Sequence, residues 1–424
     1  MLARGAPRMP PMRLLYSLAW LFVLPFAFFH LLRRAWRQPE YLRHWSERLG
    51  WAPQCQPPVI WLHAVSVGET RAAAPLVKAL RMRHPGHAIF LTHATPTGRA
   101  AGGELFGEGV IQSYLPYDFP PLVWLFLHRV SPVMGVIMET EIWPNLYAAC
   151  QRRGIPLFLV NARLSEKSAR GYGRFRVLVA PALRSLANIA AQTESDARRL
   201  RGLGANHVEI SGNVKFDVAP SRDTEERARD LRERFNGRFM FLAASTREGE
   251  EAVLLDALAG LEIPGLLLVL VPRHPQRFDA VAALLAEHKL AYVRRSEGRP
   301  LAAETQVFLG DSMGELAAYY AAADVAYVGG SLLPLGGQNF IEAATAGCPA
   351  LIGPHTWNFA EAAEQAVACG AARRVADAGM LAEVLLALFR DPVARQHMRA
   401  AGLCFAAANR GATERVMGML ERHL

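Results

Sequence analysis

A chain of 424 residues is about two to three times the length of a typical single domain, which favours two domains over one. Hydrophobic residues make up 51% and charged residues 20%, enough for sizeable cores and too apolar for wholesale disorder. The formal charge of +9 points to anionic partners such as phosphates, nucleic acid or acidic lipid. Only Lys78, Lys167, Lys215 and Lys289 are lysines in a strongly Arg-rich chain, so each one draws notice. Cys55, Cys150, Cys348, Cys369 and Cys404 are scattered and form no C-x-x-C pair, which reads as a reduced, cytosolic protein without a structural metal.

The first predicted element is Leu14–Leu32, uncharged and rich in Leu and Phe. As a helix it would extend roughly 28 Å, just enough to cross a hydrocarbon core. Pro25 should kink it. A cleaved signal peptide fits poorly, because Arg33, Arg34 and Arg37 stand where small residues should mark a cleavage site. Arg4, Arg8 and Arg13 precede the segment, and Arg43 and Arg48 add to the heavier basic flank behind it. That asymmetry puts the body of the protein in the cytoplasm. An interfacial helix in one leaflet is the alternative to a spanning one.

From Val59 onward, apolar runs alternate with helical patterns, the signature of parallel α/β units. The first series is Val59–Val65, Ala88–Ala94, Val133–Glu139, Pro156–Ala162, Asn188–Thr193 and Val208–Asn213. A charged stretch, Asp217–Arg238, reads as a linker with an exposed helix. The second series is Phe239–Ser245, Leu266–Pro272, Val307–Asp311, Val325–Gly330 and Pro349–Pro354. Two α/β halves imply a cleft, with ligands beyond the C-terminal strand ends. Neither half carries G-x-G-x-x-G after its first strand, nor a Walker A loop.

Three candidates for chemistry lie in the first half. Glu69, in His63-Ala-Val-Ser-Val-Gly-Glu-Thr70, follows the first strand and could serve as a general base, its ionised form favoured by a helix N-terminus. Ser66 and Glu69 also have capping-box spacing, which would give them a purely structural job. Glu139 and Glu141, in Met138-Glu-Thr-Glu-Ile-Trp-Pro-Asn145, would share one side if extended, whereas a turn would split them. Lys215, in Ser211-Gly-Asn-Val-Lys-Phe-Asp217, is either an ordinary surface lysine or an ammonium that meets charge on a leaving phosphate.

In the second half, Val271-Pro-Arg-His-Pro275, Gly310-Asp-Ser-Met-Gly-Glu-Leu316, Gly329-Gly-Ser331 and Gly336-Gly-Gln-Asn-Phe-Ile-Glu342 each follow a predicted strand. Glycines leading into helix starts expose backbone N–H groups to anions, so these loops jointly argue for a phosphate-bearing ligand. Glu342 could take the hydroxyls of a ribose, although Asn339 and Glu342 again match a capping box. No H-E-x-x-H or other paired ligand spacing appears, which disfavours a metal-dependent mechanism.

With these motifs in order, together with Tyr114–Asp118 and Asn161–Tyr172, the chain resembles the 3-deoxy-D-manno-octulosonic acid (Kdo) transferases of lipopolysaccharide synthesis over essentially its whole length. The resemblance implies a GT-B fold: two Rossmann-like α/β domains facing a central cleft, behind an N-terminal membrane-anchor helix. It divides the chain into a tail and anchor (1–36), an acceptor-binding domain (37–216), a linker with an exposed helix (217–236), a CMP-Kdo-binding domain (237–404) and a C-terminal helix returning to the first domain (405–424). It implies inverting transfer of Kdo from CMP-Kdo to a lipid A precursor (lipid IVA) at the cytoplasmic face of a bacterial inner membrane. No cofactor, catalytic metal or nucleic acid is implied. Glu69 is then the base, and Glu139 and Lys215 stabilise the transition state. Pro272, Arg273, Met313, Gly314, Glu315, Asn339, Phe340, Ile341 and Glu342 bind CMP. The apolar Val123–Leu127 and the cluster Arg163, Lys167, Arg170, Arg174 and Arg176 are expected acyl-chain and acceptor-phosphate surfaces. A sugar-nucleotide epimerase of the same fold and a catalytically idle membrane scaffold are the rivals.

Overall fold

The computed structural model describes residues 10–218 and 222–424; Arg4, Arg8 and Pro220 lie outside the described residues. The chain divides into two compact units, residues 1–218 with 411–424, and residues 219–410.

Seven parallel strands build the first unit: β1 (Val59–His63), β2 (Ala88–His93), β3 (Ile111–Tyr114), β4 (Met134–Met138), β5 (Leu157–Ala162), β6 (Asn188–Ala191) and β7 (Val208–Ile210). They lie in the order β3-β2-β1-β4-β5-β6-β7. The central strands β1, β4 and β5 are buried along their whole length, as expected for a parallel sheet covered on both faces. Strand order reverses between β1 and β4, so the loops after these two strands splay apart and leave a crevice at the C-terminal edge.

The second unit repeats this plan with β8 (Phe239–Thr246), β9 (Leu266–Pro272), β10 (Tyr292–Arg294), β11 (Val307–Leu309), β12 (Val325–Val328), β13 (Ala350–Ile352) and β14 (Ala372–Arg374). Their order is β10-β11-β9-β8-β12-β13-β14, again all parallel, with the reversal between β8 and β12.

The charged stretch expected as a linker forms the helix Arg222–Arg234, which is not fully exposed. Ala228 and Leu231 are buried, the helix packs against Leu316–Ala322, and Arg232 lies 3.3 Å from Asp324. An apolar pair one turn apart is enough to seat an otherwise charged helix.

Near the C-terminus, one helix runs from Pro392 to Ala408 within the second unit, so the change of unit falls at Gly411 rather than at 405. The helix Ala412–Leu420 buries Val416, Met417 and Leu420 in the core of the first unit with Leu62, Leu76 and Val136. Asp217 fixes its start, its carboxylate accepting from the N–H groups of Gly411 at 2.7 Å and Thr413 at 2.6 Å.

The apolar N-terminal segment is a helix, α1 (Pro11–Arg37), which continues through Pro25. It is long and apolar enough to cross a membrane, and most of it is unburied.

Candidate functional site

In the first unit the expected residues converge on the β1/β4 crevice. The helix α2 (Val67–Arg83) starts directly after β1, and Ser66 caps it, its side chain accepting from the Glu69 N–H at 3.4 Å. The Glu69 carboxylate in turn accepts from the Val65 N–H at 2.8 Å and from Ser66 Oγ at 3.1 Å. The capping geometry is therefore real, and it aims the Glu69 carboxylate back toward the end of β1.

Glu139 follows β4 in the left-handed conformation, with φ of 56°. That turn keeps Glu139 and Glu141 from continuing the strand side by side. Lys215, on the short helical turn Val214–Asp217, brings its ammonium to 2.7 Å from Glu139 Oε1. Burial works to raise the Glu139 pKa, but Lys215 and then Arg163 hold it below the ordinary carboxylate range. The lysine is thus an ion-pair partner in the crevice and not an ordinary surface residue.

Glu69 contradicts its expected ionisation. Burial first, and the negative charge of Glu139 second, push its pKa up to about 8. The N–H of Val65 and the hydroxyl of Ser66 favour the carboxylate but do not outweigh them. Glu69 is therefore harder to ionise than an ordinary glutamate.

A polar frame behind Lys215 went unrecognised in the sequence. Asn161, at the end of β5 with φ of 54°, accepts through Oδ1 from the Val214 N–H at 3.2 Å. Asn213 accepts from the Lys215 N–H at 3.0 Å and donates to Gln192 Oε1 at 3.1 Å, and Gln192 donates to the Asn161 carbonyl at 3.0 Å. The signal available was amide residues closing three successive strand patterns: Asn161, Gln192 and Asn213.

Two expected acceptor surfaces come out differently. Val123, Phe126 and Leu127 are buried in the core on the helix Pro120–Val130, so they are not an acyl-chain surface; only Trp124 is well exposed. Lys167, Arg170, Arg174 and Arg176 are exposed on and after the helix Glu166–Gly173, whereas Arg163 is half-buried beside Glu139.

In the second unit, the expected nucleotide residues stand on loops at the C-terminal edge of β9, β11 and β12. Pro272 ends β9, and Arg273 donates through Nε to Gln338 Oε1 at 3.2 Å. Gly329 packs against the end of β8 so closely that a Cβ would meet the Ser245 carbonyl oxygen at 2.4 Å. Met313 is exposed, and Gly314 has φ of 92°. The Glu315 carboxylate is turned to Arg295, at 2.8 Å; burial alone would raise its pKa, but Arg295 and Ser312 keep it low.

Asn339 caps the next turn, its Oδ1 accepting from the Ile341 N–H at 3.2 Å and its Nδ2 donating to Glu342 Oε1 at 2.9 Å. Phe340 and Ile341 are buried beneath that turn. The helices that follow, Leu316–Ala322 and Ile341–Thr345, have only seven and five residues, so they offer loop N–H groups more than long helix dipoles. Among the described residues, no group of three or more His, Cys, Asp or Glu is placed to hold a metal ion.

The architecture is that of the GT-B fold. Solved structures share it at low identity: a glycosyltransferase from Rickettsia africae (15% identity, TM-score 0.60, covering 87% of this chain and 99% of the other) and a UDP-GlcNAc 2-epimerase from Neisseria meningitidis (14%, TM-score 0.60, 86% and 100%). Such likenesses show the fold alone, since transferases and epimerases both use it.

Sequence comparison is more specific. Residues 43–218 match the family model of the 3-deoxy-D-manno-octulosonic-acid transferases (kdotransferases). A 3-deoxy-D-manno-octulosonic acid transferase of Bordetella pertussis is 46% identical over 382 residues, covering 87% of this chain and 88% of the relative. One from Haemophilus influenzae is 37% identical over 397 residues, 92% and 93% of the two chains. The chain belongs to the 3-deoxy-D-manno-octulosonic acid transferase family and is a glycosyltransferase.

Proposed function

We propose that the protein transfers Kdo from CMP-Kdo to a lipid A precursor, lipid IVA, at the cytoplasmic face of a bacterial inner membrane, by an inverting displacement without a catalytic metal. The observation that carries this reading is the meeting of Glu69, Glu139 and Lys215 at the β1/β4 crevice, within the region matched to the family model.

The acceptor hydroxyl oxygen attacks the anomeric carbon of Kdo while the bond from that carbon to the CMP phosphate oxygen breaks. The hydroxyl proton passes to Glu69, and the bonding pair leaves with CMP. A base whose pKa lies near the working pH holds a useful fraction of carboxylate and still pulls strongly on the proton. Glu139 and Lys215 stabilise the transition state. Their pairing fixes the ammonium before substrate arrives, so no reorganisation is needed during the reaction.

Pro272, Arg273, Met313, Gly314, Glu315, Asn339, Phe340, Ile341 and Glu342 form the CMP-binding segments of the second unit. Arg273 supplies charge for the phosphate. Gly314 and the glycines around Gln338 let backbone N–H groups approach it. Glu315 contributes by holding its loop through Arg295.

The test is mass spectrometry of lipid products after incubating the full chain with CMP-Kdo and a tetraacylated lipid A precursor. A gain of one or more Kdo masses, lost in Glu69→Gln, supports the reading. No gain from folded protein with intact donor overturns it. A membrane scaffold would keep its role in Glu69→Gln.

A further inference from the structure

The helix α1 is docked along its length. Tyr16 Oη donates to Asp118 Oδ2 at 3.0 Å, and Ser17 Oγ lies 3.0 Å from Asn145 Oδ1. Trp20 packs against Tyr117, with ring centroids 6.0 Å apart, and Phe28 packs against Trp45 at the same distance. Leu31 and Ala35 are buried. At about 100° per residue these positions all fall on one side of the helix and form a single stripe. From Tyr16 to Ala35 it runs about 28 Å, nearly the thickness of a hydrocarbon core.

A helix held to an α/β unit at both ends cannot stand upright across a bilayer. Asp118, which also takes the N–H groups of Asn145 and Leu146, would be carried to the far side with its loop. Irregular polar backbone is not tolerated in contact with lipid. The opposite face of α1 is nevertheless unsuited to water: Phe22 is 82% and Trp36 91% exposed, with Leu15, Phe26 and Phe29 beside them.

We infer that α1 lies flat in the cytoplasmic leaflet, its outer face in the acyl boundary and both of its ends on the cytoplasmic side. Charge selects lipid as the occupant of this face. Arg33 and Arg34 are exposed at one end, and Arg13 lies near Arg152 at the other. The helix Arg176–Arg184, which α1 touches, begins with exposed Phe175 and Val177 interleaved with Arg174 and Arg176. Apolar side chains edged by guanidinium groups match an interface of acyl chains beneath anionic headgroups. The inference rests on the membrane attachment proposed above and goes beyond it in assigning how the anchor lies.

The test uses the full chain on phosphatidylethanolamine–phosphatidylglycerol vesicles. Leu15→Cys, Phe22→Cys and Phe29→Cys carry nitroxide labels in turn, with Cys369 and Cys404 replaced by serine. A flat helix puts the three labels at one depth within a few ångströms. An upright helix separates the first and last by about 21 Å and overturns the inference while leaving attachment intact. Labels that reach no lipid at all overturn both, a second copy covering the face being one such case. In intact spheroplasts, Met12→Cys should resist a membrane-impermeant maleimide until lysis; labelling before lysis places the N-terminal end outside and overturns the flat arrangement independently.

Discussion

The Lys215 ammonium sits 2.7 Å from the Glu139 carboxylate, two residues 76 positions apart brought together where strand order reverses in the first sheet. Their side chains keep only 18% and 23% of their exposure, so removing one partner strands the other's charge in a poorly solvated place. Lys215→Met should lower kcat by on the order of 10²–10³ and destabilise the first unit by about 2 kcal/mol, below the cost for a fully buried pair. Adding Glu139→Gln should restore the stability but not the rate. Denaturant melts and steady-state kinetics on the single and double variants check this; restored activity in the double variant would remove the pair from catalysis.

As the proposed base, Glu69 should set the pH dependence of the reaction. A base in that position would have to lose a proton with a pKa of about 8, so kcat/KM should rise about tenfold per pH unit below that value and level off above it. Glu139→Gln removes the neighbouring negative charge and should move this limb down by on the order of one unit, whatever it does to the maximal rate. A limb unmoved by that substitution would mean that another group titrates.

The same proton affects stability. The folded pKa of Glu69 lies above its ordinary value of 4.5, so its contribution is full below about 4.5 and is lost as pH rises through about 8. Glu69→Gln cannot ionise and escapes that loss. Its Tm should exceed the wild-type Tm by on the order of 5 °C at pH 8.5 and match it near pH 4.5, whatever the substitution does to transfer. Equal Tm values at both pH values would contradict the raised pKa.

Donor binding should respond to the second unit alone. Arg273→Ala should weaken CMP binding by about 10- to 100-fold, the worth of a charge-assisted hydrogen bond, and leave the acceptor KM unchanged. Gly329→Ala should weaken it too, through displacement of the loop after β8, because the added Cβ falls 2.4 Å from the Ser245 carbonyl oxygen. Titration calorimetry with CMP tests both variants.

Charge reversal at Lys167, Arg170 and Arg174 should raise the acceptor KM by about tenfold while sparing CMP affinity, because these exposed side chains suit acceptor phosphates. An unchanged KM would leave them as a solvated basic face. Arg163 belongs to a different test: it lies beside Glu139, and its loss should raise the Glu139 pKa.

All eleven apolar runs marked in the sequence lie on strands, because side chains buried on both faces leave a continuous hydrophobic record. The three unmarked strands, β3, β10 and β14, are all sheet edges. Short polar segments such as Ile111-Gln-Ser-Tyr114 and Ala372-Arg-Arg374 bury too little to leave such a trace. Glu69, Glu139 and Lys215 stood out as charges soon after strand patterns, and the structure brings Glu139 against Lys215 and close enough to Glu69 to raise its pKa. Asn161 was not, since nothing in an isolated Asn predicts a left-handed backbone that reaches the Val214 N–H. Val123–Leu127 misled for the opposite reason: an apolar run on a helix looks alike whether it faces lipid or core, and here the core takes Val123, Phe126 and Leu127.

The helix Ala412–Leu420 has a bearing on biogenesis. Its Val416, Met417 and Leu420 complete a core begun by Leu62 and Leu76, and between them the chain passes through all fourteen strands but the first. A ribosome therefore releases the whole second unit before it releases the residues that close the first one. The second unit is topologically an insert able to finish folding during translation, while the half that contains Glu69 waits with its hydrophobic seam open. α1 emerges first of the described elements, so the attachment proposed for it would tether the nascent chain throughout that wait. A chain cut short at Arg410 would keep a sealed second unit and an unsealed first one, and quality control would meet the defect in the half that holds Glu69.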